Sequence, residues 1–258
     1  MVADDDEHVD ARRVLELAHH QRAGARGRLP IHAAQRFARA VLADAVQVKA
    51  DRAHPRALPA ALTANPDVSR ICFTGSVPTA KVIAHAAADN LTPCSFELGG
   101  KSPTVILDDA DLDLAVDLAI EQYDNAGQVC LAGTRLLVHE RVVDAFVAAM
   151  RAQVERLVIG DPREEGTEIG PIIHPRQVER VLGFVDRAVS AGAELLWGGA
   201  RHPFGAQYLQ PTLLTNLHQD DEIVQSEVFG PVLTLQTFAS DDEAVAMANG
   251  TDYGLGEI

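Results

Sequence analysis

The chain has 258 residues, 47% of them hydrophobic, and a formal charge of −15 at pH 7. This is enough length and apolar content for one large or two ordinary domains with sizeable cores. The charge excludes a general binder of nucleic acid or of anionic membranes, since its field repels polyanions, and no apolar run approaches the roughly 20 residues that cross a bilayer. Small molecules are the expected partners.

The first residues, MVADDDEHVD, have neither the basic start nor the apolar run of a targeting segment. Three cysteines, Cys72, Cys94 and Cys130, are an odd number and make no disulfide framework, so the expected compartment is a reducing cytoplasm. Charge is unevenly spread: there are 10 Lys+Arg against 8 Asp+Glu up to residue 61, and 12 against 29 after it. Helical pattern is predicted in ARRVLELAHH and AQRFARAVLADAV, while AGARGRLP and ADRAHPRALPA read as loop or disorder. Five early histidines (His8, His19, His20, His32, His54) are scattered without metal-ligand spacing.

From residue 62 the elements alternate. Arg70 to Phe73 reads as a short strand ending in a turn at Gly75, with Ser76 capping a helix through about Asp89. PCSFELGGKSPTVIL suggests two extended pieces broken at Gly99 and Gly100. Asp109 is predicted to cap a helix with Leu112, Ala115, Val116, Ala119 and Ile120 at helical spacing. TRLLVHE reads as a buried strand, followed by an amphipathic helix with Val142, Phe146, Met150 and Val154 on one side. A loop, GDPREEGTEIGPII, leads to a helix from about Pro175 to Ala191 that turns Val178, Val181, Leu182 and Val185 inward. Strand-like ELLWGG, a loop into the strand of EVFGPVLTLQTF, and the short capped helix SDDEAVAMANG complete the pattern. Such alternation predicts an α/β fold with a largely parallel sheet.

Four stretches could carry chemistry. In NAGQVCLAGTR, Cys130 stands among small residues that let backbone N–H groups approach a reacting oxygen beside the sulfur; read locally, it is either a nucleophile or a small buried hydrophobe. Glu97, in FELGG, is a carboxylate between Phe96 and Leu98. In half-buried apolar surroundings it suits a general base, and facing solvent it is an ordinary strand residue. FTGS places Gly75 and Ser76 at a helix start, where free amides favour an anion or simply form a turn. EVFGP offers Glu227 as an acceptor for ribose hydroxyls and Phe229 as a face for a planar ring, or else a loop with one core phenylalanine. Neither G-x-G-x-x-G nor a P-loop occurs, and no metal-binding spacing is present.

In order and spacing, FTGS, ELGGKSP, GQVCLAGTR and EVFGPV resemble the nucleotide turn, general-base motif, nucleophile motif and ribose loop of the NAD(P)-dependent aldehyde dehydrogenase superfamily. The resemblance runs from about Leu62 to the C-terminus. It implies NAD or NADP as cofactor and a small-molecule aldehyde as substrate, with Cys130 as nucleophile and Glu97 as the base that activates water. Gly75 and Ser76 would meet the pyrophosphate, Leu98 the nicotinamide through its backbone, Glu227 its ribose and Phe229 its ring; Gln177 would lie toward the adenosine half. DNAGQVCLAGTR is similar to members acting on semialdehydes. Ala80 stands where the family usually has glycine, which makes the phosphate turn less permissive. Residues 1–61 do not resemble the family's long nucleotide-binding portion, and the family's chain continues beyond YGL. The expected organisation is therefore an atypical segment 1–61, disordered or frame-disrupted, a Rossmann-like remnant 62–97, and an α/β catalytic domain 98–258 without its C-terminal end. Family members are homo-oligomers. Two alternatives stay open: an inactive or partner-binding remnant, and a cysteine-dependent, esterase-like hydrolase.

Overall fold

The computed structural model describes residues 57–256, so the helical patterns expected before residue 50 lie outside the described residues. Apart from the first three residues of the first helix, everything below belongs to the unit that begins at Ala60.

Helix α1 (Ala57–Thr63) leads to β1 (Ile71–Thr74), α2 (Val77–Ala88) and β2 (Cys94–Glu97). The two strands pair in parallel, with Phe73 opposite Phe96 and Thr74 opposite Glu97. Ser76 occupies the N-cap position of α2 as expected, but its hydroxyl contacts the Thr79 hydroxyl at 3.0 Å and caps no backbone N–H.

The larger sheet is built from β3 (Pro103–Ile106), β4 (Arg135–His139), β5 (Glu194–Trp197), β6 (Thr212–Thr215) and β7 (Val232–Phe238). Its order is β3-β4-β7-β6-β5, with every pairing parallel except β5 with β6. The two extended pieces on either side of Gly99 and Gly100 thus belong to different sheets. Helices α3 (Leu112–Glu121), α4 (Val143–Val154) and α5 (Pro175–Ser190) pack one face of this sheet. The short α6 (Glu222–Gln225) precedes β7, and α7 (Asp241–Ala248) covers part of the other face.

β4 shows how the sequence divides itself between these layers. Leu136 and Val138 join the cluster under α3–α5, whereas Leu137 points the other way, with Phe238 and Ala244. All five β4 residues are buried, which is why the strand reads as a continuous apolar run instead of alternating. On α3 the true cap is Asp111, whose carboxylate accepts from the N–H groups of Asp113 and Leu114 at 3.1 and 3.2 Å. Asp109 had been expected there. Both are aspartates ahead of the apolar periodicity, and Asp111 is the one with an extended backbone beside the first turn.

Candidate functional site

The four motifs converge through glycines. After β2 the chain passes Gly99 and Gly100, and a Cβ at Gly99 would collide with the Glu227 carboxylate. At Gly100 it would lie 2.5 Å from the Cys130 carbonyl oxygen. One turn of glycine backbone therefore brings the Glu97 strand end, the Cys130 loop and the Glu227 loop together. A third contact joins the last two: a Cβ at Gly127 would overlap the Gly230 carbonyl.

The loop holding Cys130 begins with Asn125, Ala126 and Gly127 in the left-handed region, with φ of 51°, 55° and 67°. Asparagine and glycine tolerate this backbone, while Ala126 is strained and persists because its surroundings hold it. The surroundings are visible. Gln128 Nε2 donates to the Asn125 carbonyl at 2.8 Å and Asn125 Nδ2 to the Gln128 carbonyl at 3.2 Å, while Gln128 Oε1 accepts from Ile173 N–H at 2.9 Å. Before the loop, buried Tyr123 donates its hydroxyl to the Thr212 carbonyl at 3.0 Å, and burial raises the phenol above its ordinary range. Gly133 N–H after the cysteine donates to Gln122 Oε1 at 2.6 Å. Cys130 itself is half-buried, and its N–H donates to no backbone carbonyl among the described residues.

Glu97 ends β2 exposed, so the half-buried apolar setting expected for it is corrected. Being last in its strand frees its side chain from the flanking Phe96 and Leu98. Its backbone carbonyl accepts from Gly75 N–H at 3.0 Å, which ties the FTGS turn to the end of β2. Leu98 is half-buried in the segment leading to Gly99. Ala80 is buried in the first turn of α2.

Glu227 is half-buried, and its Oε1 accepts from Gly100 N–H at a long 3.4 Å. Desolvation raises its carboxyl above the ordinary range, opposed by that hydrogen bond and by the charges of Arg180 and Lys101. The loop around it hangs from α5: Arg180 donates to the Glu227 and Val228 carbonyls at 2.7 and 2.6 Å, and Gln177 to those of Val228 and Phe229 at 2.9 and 2.8 Å. Gln177, expected toward an adenosine, spends its amide on this loop. Phe229 has a left-handed φ of 57° and is half-buried.

Sequence reasoning did not single out Lys101, Arg135 or Arg180 in any role. Arg135 is fully buried at the head of β4, donating to the carbonyls of Lys101 at 2.8 Å and of Met247 and Ala248 at 2.7 Å each. It thereby clamps the ELGGKSP segment to the C-terminal end of α7, where carbonyls lack helical partners and the dipole favours a cation. A charged residue opening an otherwise apolar buried strand was the available signal.

An α/β fold in which a glycine turn gathers a cysteine loop, a glutamate-bearing strand end and a second acidic loop defines an aldehyde dehydrogenase type of architecture. The model of the aldehyde dehydrogenase family matches residues 43–258, reaching back ahead of Leu62, and the chain belongs to that family. A crystal structure described as a putative aldehyde dehydrogenase from Burkholderia cenocepacia is 41% identical, with a TM-score of 0.75 over 77% of this chain and 42% of that one. Aldehyde dehydrogenase from Bacillus cereus, an E194S mutant, is 36% identical with a TM-score of 0.75 over 78% of this chain and 41% of that one. Betaine aldehyde dehydrogenase from Staphylococcus aureus in complex with NAD+ is 37% identical, with a TM-score of 0.75 over 77% of this chain and 40% of that one. The chain thus spans about two fifths of the length of the structures it matches. No helix among the described residues is long and apolar enough to cross a membrane.

Proposed function

We propose that this chain carries the reacting half of an aldehyde oxidation that yields a carboxylic acid with NAD or NADP. The observation that carries the reading is the packing of the Cys130 carbonyl and the Glu227 carboxylate on consecutive glycines, Gly100 and Gly99, three and two residues after Glu97.

The residues present suit the nicotinamide end of such a cofactor. Glu227 is an acceptor holding one long hydrogen bond, and Phe229 stands two residues further in the same loop. Gly75 and Ser76, at the start of α2, would meet the pyrophosphate, and Leu98 the nicotinamide through its backbone. Bound there, the oxidised nicotinamide supplies an acceptor for the hydride.

Cys130 sulfur attacks the aldehyde carbon and gives a thiohemiacetal, whose oxygen the Cys130 N–H is free to stabilise. Loss of hydride from that carbon leaves a thioester on Cys130. Glu97 takes a proton from water as it attacks the thioester, the acid departs, and the thiol is restored. Glu97 is exposed at the end of β2, so this role rests on its motif and on its place two residues before Gly99. The DNAGQVCLAGTR wording favours a semialdehyde as substrate, and three free cysteines favour a reducing cytoplasm.

The test mixes purified protein with NAD or NADP and a panel of aldehydes and semialdehydes while following absorbance of the reduced cofactor. Turnover that disappears in Cys130→Ala and falls strongly in Glu97→Gln supports the reading. Absence of both turnover and nucleotide binding by calorimetry overturns it for this chain. Cys130-dependent ester hydrolysis without nucleotide would favour the hydrolase alternative.

A further inference from the structure

Gln128, two residues before Cys130, reaches out of its own loop. Its Oε1 accepts from Ile173 N–H at 2.9 Å and its Nε2 donates to the Pro171 carbonyl at 3.3 Å, so the side-chain amide bridges the peptide groups on either side of Ile172. The same Nε2 donates back to the Asn125 carbonyl at 2.8 Å, inside the left-handed turn. Among side chains of this length only a primary amide can do both, since a carboxylate has no hydrogen to donate and a guanidinium or ammonium nothing to accept with.

What Gln128 grips is itself held firmly. Ile172 is wholly buried in the core; its N–H donates to the Gln207 carbonyl at 2.8 Å, and its carbonyl accepts from Gln207 Nε2 at 2.8 Å. Two residues on, His174 caps α5 by accepting from Arg176 N–H at 3.0 Å, and Pro175 opens the helix. Gln177 and Arg180, in the first two turns of α5, hold the carbonyls of Glu227, Val228 and Phe229. The Cys130 loop and the Glu227 loop therefore hang from one support, residues 171–180. Where they meet, Gly127 lies against the Gly230 carbonyl with no room for a Cβ. Such a contact limits how near two loops come but leaves them free to slide, whereas directed hydrogen bonds to a common support prevent sliding.

We propose that Gln128 is a positioning residue, which sets the Cys130 sulfur in register with the Glu227 loop. This rests on the aldehyde-oxidising reading, in which Cys130 holds the substrate carbon and the Glu227 loop the nicotinamide end of the cofactor. The Gln128 amide is spent on the chain, so it acts through Cys130 and not on the reacting atoms. Its effect is on geometry, where a misplacement of about 1 Å can cost about a hundredfold in rate.

The experiment compares the full wild-type chain with Gln128→Met, close in size but without donor or acceptor, and with Gln128→Asn, whose amide is one methylene short of Pro171 and Ile173. Amide hydrogen exchange, alkylation of Cys130 by iodoacetamide followed on its own peptide, and NAD turnover with a panel of aldehydes are measured on each. In both variants the Ile173 amide, which has no other acceptor among the described residues, should exchange about tenfold faster, the effect of one lost hydrogen bond. The kcat should fall about a hundredfold, with KM for the aldehyde and calorimetric affinity for NAD within about threefold of the wild type. Alkylation needs the thiol but no register with a second loop, and should also stay within about threefold. A loop that had merely come apart would move alkylation and NAD affinity together with kcat. The proposal is overturned by an unchanged Ile173 amide, by a kcat that stays at the wild-type value, or by parallel loss of kcat, alkylation and NAD affinity. A wild type that neither turns over nor binds NAD overturns the aldehyde-oxidising reading and this proposal with it, whereas an active wild type matched by its variants overturns this proposal alone.

Discussion

Lys101 and Arg135 show how two buried cations next to one another acquire opposite fates. Arg135 answers its burial with three short hydrogen bonds to carbonyls, while the Lys101 ammonium has none among the described residues. Removing Arg135 as Arg135→Met strands the Lys101 and Ala248 carbonyls, while that of Met247 keeps the Gly250 N–H at 3.1 Å, and at about 1–3 kcal/mol for each buried group the loss should be at least about 2 kcal/mol, read from urea unfolding. Lys101 predicts a pH effect. Its folded value of about 7 lies below the ordinary lysine value of about 10.4, so across that window the unfolded chain holds a proton that the folded chain lacks. Stability contributed by this site therefore rises as pH goes from about 7 toward 10 and is missing below 7, by an amount on the order of a few kcal/mol. Melting wild type and Lys101→Met at pH 7 and pH 9.5 isolates it: the variant should gain on the wild type at pH 7 and lose that advantage at pH 9.5.

At the scale of elements, legibility followed periodicity. The α5 positions Val178, Val181 and Val185 are buried as their spacing predicts, because one apolar stripe on a long helix leaves little choice of face. β6 and α6 escaped: Thr212–Thr215 reads TLLT, with no alternation of polar and apolar residues, and Glu222–Gln225 is a single helical turn with no period to show. The candidate site was legible as residue types and order, since Cys130, Glu97 and Glu227 stand out in their motifs as candidates, and the structure brings their segments together. The glycine contacts that join them were not, because close approach between segments 127 residues apart leaves no local trace. Nor was the support from α5, where the sequence reading assigns Gln177 to an adenosine half and gives Arg180 no role. That support is testable. Arg180 donates to two carbonyls of the Glu227 loop, and Arg180→Met leaves Gln177 to hold it alone. Hydrogen exchange of the Val228–Gly230 amides should quicken about tenfold or more, the equivalent of about 1.4 kcal/mol in local opening, while β4 amides stay unchanged.

For the whole described unit, the two sheets differ in how much they bury, and this difference divides the proposed chemistry. Cys130 lies between α3 and β4, in a framework whose core runs from Ala115 through Leu136 and Phe146 to Val185 and Leu233. Glu97 and Gly75 belong to a two-stranded pair in which Cys72 and Thr74 are exposed and Phe73 meets Phe96 edge-on at 6.4 Å. A pair of four-residue strands with one half-buried face is marginal by itself, whereas the five-stranded sheet is packed on one face by three helices. Native-state hydrogen exchange should therefore show two levels. Leu136–Val138 amides should exchange only through global opening, and Cys72–Thr74 amides through a cheaper local one. Phe146→Ala separates them further: Phe146 is wholly buried in α4, and its truncation should cost about 3–5 kcal/mol. That cost should appear in full at Leu136–Val138 and in the urea midpoint followed by Trp197, the only tryptophan, which sits on β5 beneath the Arg151 guanidinium at 4.9 Å. The β1 amides should be unmoved. Equal slowing or quickening of both sets would show instead that the β1–β2 pair and the cysteine framework open as one unit, and that the glycine turn at Gly99–Gly100 transmits stability as well as position.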